Sequence, residues 1–121
     1  MRFVLRTVLP AILFLTTGTL HFVHPAFYTG IVPPQFGRAD VLVAISGAAE
    51  LAGGIGLLIP ATRNAAGIGL IALLVAVWPA NWYMALAADR FAGVGPVWVL
   101  WLRVPLQLPL IWWVAIARRG G

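Results

Sequence analysis

Residues 41–59 read VLVAISGAAELAGGIGLLI, nineteen positions that carry a single charge, Glu50. A helix that crosses a membrane needs about 20 mostly apolar residues, and this stretch supplies them. Glu50 shares a helical face with Ser46, Gly47, Gly53 and Gly54, at spacings of three and four. Small residues of this kind let helices approach closely within a bilayer. The pattern therefore turns Glu50 toward neighbouring helices and away from lipid.

Three further apolar runs flank this one, from about Phe3 to His24, Ala65 to Ala87 and Pro96 to Ala117. Pro25, Pro33, Pro34 and Gly37 separate the first two runs. Pro60, Thr62, Arg63 and Asn64 separate the second and third, which then form a tight antiparallel hairpin. Gly93 and Gly95 precede the last run, where Pro96 suits a first helical turn. The sequence thus predicts one all-α membrane domain over residues 1–121, a bundle of four transmembrane helices spanning 3–24, 41–59, 65–87 and 96–117. The first run follows Arg2 and Arg6, as a leader peptide would. Without a small-x-small cleavage site after it, it reads as a retained helix.

Composition agrees. Of 121 residues, 62% are hydrophobic and 9% charged, and mean hydropathy is +0.98. A soluble domain carries roughly 25% charged residues, so a water-facing surface is ruled out. The net charge of +5 comes from eight Arg with no Lys, scattered rather than striped, which excludes a nucleic-acid surface. With no cysteine, the chain itself has no disulfide, thiolate metal site or thiol redox chemistry.

Arginines in short connections set orientation. Arg2, Arg6, Arg63, Arg118 and Arg119 share the side of the termini, whereas Arg38 and Arg90 lie opposite, each near an acid. The expected protein is therefore a multi-pass protein of the cell's inner membrane with both termini cytoplasmic. Trp98 and Trp101 at one end of the last run, and Trp112 and Trp113 at the other, fall where interfacial aromatic belts belong.

Ionisable groups inside such helices are costly and point to function. From the helical rise, Glu50 lies roughly 13 Å below the outer boundary, Arg103 roughly 10 Å and Asn81 roughly 9 Å, with His21 in the last turn or so of its helix. Every helix thus contributes a polar group at one level. One shared polar site in the outer half of the bundle is expected, with Gln107 one turn from Arg103. Pro79 removes a backbone hydrogen bond just below Asn81 and Trp82, which should kink that helix and free a carbonyl there.

At these residues the chain resembles the DoxX-like small membrane proteins. The resemblance rests on Gly18-Thr-Leu-His21-Phe, Ile31-Val-Pro-Pro34, Ser46-Gly-Ala-Ala-Glu50-Leu, Pro60-Ala-Thr-Arg63, Trp78-Pro-Ala-Asn81-Trp-Tyr-Met84 and Arg103-Val-Pro-Leu-Gln107. These six segments cover nearly the whole chain in order. The resemblance implies a four-helix bundle and association with redox membrane complexes, including subunits linked to quinone-reducing thiosulfate oxidation. Relatives in animals act as assembly chaperones for membrane receptors. The absence of cysteine departs from some redox-linked relatives and removes any dithiol mechanism.

Three functional expectations follow. In the first, the site binds a lipophilic redox ligand, a quinone head group. His21 and Glu50 would move protons, Arg103 would stabilise negative charge on a ring oxygen, and Asn81 and Gln107 would hydrogen-bond it. Trp78 and Trp82 would flank the ring and Ser46 would line it. Electrons would come from a partner, because no electron carrier is recognisable here. No metal is expected, since His21, His24 and Glu50 fall short of a completed site. In the second, the chain is an accessory or assembly protein. A Glu50–Arg103 ion pair holds its shape, and the loop around Phe27, Tyr28 and Pro33–Pro34 docks a protein partner. The third, a small transporter, lacks an internal repeat, though a homo-oligomer could supply one.

Overall fold

The computed structural model describes residues 1–119, and these are all helical apart from short connections. Four helices are long and apolar enough to cross a membrane. The first is one continuous rod from Val4 to Val23, and the others are Ala39–Leu58, Arg63–Leu86 and Val97–Ala117. Within the first rod, Val4–Val8 is wound as a wider π-type turn before helix α1, Leu9–Val23. Pro10 explains the change of winding. It has no N–H to offer the carbonyl of Arg6, and its ring crowds that carbonyl, so the turn beneath it loosens.

The segment after α1 is more ordered than its prolines foretell. His24 leaves helical geometry, and Pro25 at the first position starts a short helix α2, Pro25–Ile31. Val32 is extended, as a residue before proline prefers. A single 3-10 turn, Pro34–Phe36, follows. Gly37 and Arg38 then both take positive φ, which turns the chain into helix α3, Ala39–Leu58. At the far end of α3, Thr62 donates its hydroxyl to the Gly56 carbonyl at 2.9 Å, and Arg63 Nε donates to the Leu57 carbonyl at 2.7 Å. These bonds occupy carbonyls that a helix end leaves open, and helix α4, Arg63–Leu86, starts at once. Helix α5, Val97–Ala117, completes the bundle.

The helices pack in the order α1, α3, α4, α5. Glycines on α3 set the first contact. A Cβ added at Gly47 would stand 2.7 Å from the Cβ of His21, and one at Gly54 would stand 3.0 Å from the Ala11 carbonyl. The half of the bundle nearer the termini is filled by Ala11, Phe14, Leu57, Leu70, Leu74, Val114 and Ala117, all nearly inaccessible. A second cluster, Ile31, Met84 and Leu100, sits at the opposite end, with Tyr28 packed against it. Between the two lies the cavity described next. Among the belt residues, Trp98 and Trp112 stand largely exposed on opposite ends of α5, and Trp113 donates to the Leu5 carbonyl at 2.8 Å.

Candidate functional site

Because α1 lies so close to α3 at Gly47, Thr17 and His21 both reach Glu50. Thr17 donates its hydroxyl to Glu50 Oε1 at 3.2 Å. His21 Nδ1 stands 3.2 Å from Glu50 Oε2 and 2.7 Å from the Thr17 carbonyl. A carbonyl oxygen only accepts, so Nδ1 carries a proton, and that proton follows the shorter contact. Oε2 is consequently buried beside His21 without a hydrogen bond of its own among the described residues.

These groups open onto a cavity of about 340 Å³, within the range of about 300–1,000 Å³ common for small-molecule sites. His21, Ser46, Glu50, Asn81, Arg103 and Gln107 all line it. The polar residues read from four separate helices therefore meet in one chamber. Phe14, Leu74 and Leu110 form its floor and belong to, or pack on, the apolar cluster nearer the termini.

On the α4–α5 side, Asn81 Nδ2 donates to Gln107 Oε1 at 3.3 Å, and Gln107 Nε2 donates to the Leu74 carbonyl at 3.0 Å. Helix α4 runs unbroken through Pro79. Pro79 deprives the Val75 carbonyl of its usual donor, but the side chain that comes to the ladder serves its neighbour, Leu74.

Arg103 faces the chamber from α5, and its guanidinium makes no salt bridge among the described residues. The Glu50–Arg103 ion pair of the structural alternative is absent from this geometry. Glycine contacts press α1, not α5, against the Glu50 face, so His21 and Thr17 are its neighbours.

Trp78 and Trp82 do not line the cavity. Trp78 Nε1 donates to the Val104 carbonyl at 2.8 Å, and Trp82 packs edge-on against both Trp78 and Trp101. These aromatics tie α4 to α5 instead of flanking a ligand. Tyr28, read from the sequence as part of a partner-docking loop, turns inward. Its ring stacks on His21 with centroids 3.9 Å apart and planes 19° apart, while Phe27 meets it edge-on. Burial raises the Tyr28 phenol above its ordinary pKa. The charge of Glu50 adds to that rise and Arg103 offsets part of it, so both charges act on the phenol. Only Pro25 hinted at this, as a helix-starting residue placed to fold α2 back over the bundle.

Beside the polar chamber runs a larger, apolar groove of about 470 Å³ among α2, α3 and α4. His21, Tyr28, Ile31, Ser46, Val77 and Ala80 line both spaces, so the two adjoin.

The fold and site together define a small bundle of four membrane-length helices with a polar chamber beside an apolar groove. The chain belongs to the family described as domain of unknown function (DUF8561), whose profile matches residues 10–118. No curated protein and no solved structure matches the chain. None of these findings links it to the DoxX-like proteins.

Proposed function

We propose that this protein is a multi-pass membrane protein that binds a lipophilic molecule through a quinone-like head group held in the polar chamber. One observation carries the reading: a chamber lined by His21, Glu50, Asn81, Arg103 and Gln107 shares its wall with an apolar groove. A water-soluble ligand has no use for such a groove. A membrane-dissolved ligand with a compact polar head matches both parts.

Within this reading, Arg103 offers an unengaged guanidinium to an electron-rich ring oxygen. Asn81 keeps its carbonyl free while its amide engages Gln107, which fixes the orientation of both side chains. His21 and Glu50, in contact with each other, hold and pass a proton at the chamber wall. Reducing a quinone takes two electrons and two protons. The electrons would come from a redox protein bound alongside, and the chain would serve as the membrane subunit of that complex. The resemblance to DoxX-like proteins favours the same setting. The arginine bias supports an orientation with the termini in the cytoplasm and the chamber in the outer half of the inner membrane.

The test is extraction into native nanodiscs and identification of co-purifying small molecules by mass spectrometry, with Glu50→Gln as the control. A quinone-type species enriched in the wild type and lost from folded Glu50→Gln is the expected result. If both preparations yield bulk lipid only, the binding reading falls, and a protein partner becomes the object of search.

A further inference from the structure

The binding reading leaves the groove without an assigned role, and its geometry supplies one. Apart from His21, Tyr28 and Ser46, its walls are apolar, with Leu42 and Ile45 on α3 opposite Ala76 and Val77 on α4. It does not end inside the bundle. Ile45 is 61% exposed, and Ala76 lies on the surface as well, so the groove opens sideways between α3 and α4. That side is the apolar flank of two membrane-length helices, which in a bilayer faces hydrocarbon chains and not water.

We propose that the groove seats the hydrocarbon chain of the ligand, and that Ala80 sets what can pass from chamber to groove. The inference rests on the binding reading above. A head group in the chamber would direct its substituent past the stacked His21–Tyr28 pair, along Ala80, and out between Ile45 and Ala76. Ala80 lines both spaces, and at their shared wall it presents only a methyl group. The groove beside the chamber runs between a single pair of helices, so the proposed ligand carries one long alkyl or prenyl chain. A two-chain phospholipid would leave its second chain unaccommodated. Entry and exit are lateral, and the ligand never has to cross water.

Two probes test this in nanodiscs, with affinities compared at equal mole fraction in the bilayer: 2,3-dimethoxy-5-methyl-1,4-benzoquinone and its decyl-substituted homologue. Wild-type protein is expected to bind the decyl probe about tenfold more tightly, about 1.4 kcal/mol, through van der Waals contact of the chain with the groove walls. Ala76→Phe at the exposed lip, which lines the groove and not the chamber, should abolish that preference while leaving the chainless probe within about twofold of wild type, a change below half a kcal/mol. Because leucine at position 80 enters the chamber wall and presses on the Ile31–Met84–Leu100 cluster, Ala80→Leu is read through the ratio of the two affinities, which should fall to about one. A decyl probe carrying a terminal diazirine should label residues 42–46 and 76–80 of the wild type.

Equal affinity for the two probes, or labelling along α1 and α5, would overturn the chain seat while leaving the chamber reading intact. Failure of the wild type to bind either probe would remove both.

Discussion

The space between His21 and Gly47 is too small for one more carbon: a Cβ on Gly47 would come within 2.7 Å of the His21 Cβ and 2.8 Å of the Phe22 ring. The contact of α1 with α3, and with it the meeting of His21 and Glu50, depends on that missing side chain. Gly47→Ala should therefore destabilise the bundle by about 1–3 kcal/mol through overpacking. Thermal unfolding in detergent, followed by tryptophan fluorescence, measures it. A wild-type melting point would mean that the helices separate at little cost.

Thr17 gives Glu50 its one side-chain hydrogen bond. Thr17→Val should leave a buried carboxylate poorly satisfied, at a cost of about 1–3 kcal/mol. Replacing both partners, Thr17→Val with Glu50→Leu, should be less harmful than the sum of the two single changes. A double-mutant cycle on unfolding free energies reads the coupling, expected at about 0.5–3 kcal/mol. Simple additivity would show that the two residues do not act together.

Arg103 loses no protein partner when it is removed. Arg103→Gln should melt within about 2–4 °C of the wild type, the shift that about 1 kcal/mol produces or less, and should lose binding of the quinone probes. An ion-pair role predicts the reverse, with low folded yield restored by adding Glu50→Gln. Folded yield and probe binding, measured on the same preparations, separate the two.

Gln107 is 7% exposed and joins α5 to α4 through both ends of its amide. Gln107→Leu removes a partner from Asn81 and from the Leu74 carbonyl, with an expected cost of about 1–3 kcal/mol. Gln107→Glu is a sharper probe, because it keeps the acceptor for Asn81 but turns an oxygen toward the Leu74 carbonyl. It should destabilise at least as much. Unfolding in denaturant gives both values.

Four membrane-length helices were legible because each apolar run is long and bounded by proline, glycine or arginine. The common level of His21, Glu50, Asn81 and Arg103 was legible from helical rise alone, because rise depends on position and not on neighbours. Which residue meets Glu50 was not. Rotation about a helix axis and order round the bundle are set by close approaches such as Gly47 on His21, and a list of spans does not contain them. Helix α2 escaped notice for a different reason, since seven residues between prolines are too few to show a period. Tyr28 went with it. Trp78 and Trp82 do share a helical face, but that face is turned to α5, and periodicity alone does not say which neighbour a face meets.

The packed floor of Phe14, Leu74 and Leu110 makes the chamber a cul-de-sac. Toward the termini the chamber meets this apolar cluster, beside which Thr7 is the buried hydroxyl and is bonded to the Ala117 carbonyl. Water and protons that reach Glu50 from the opposite half of the bundle thus return the same way. Chemistry in such a blind pocket draws on one aqueous compartment only. Under the proposed quinone reading, the protons taken up at Glu50 would therefore come from the compartment on the chamber's side, and the reduction would move no charge across the bundle.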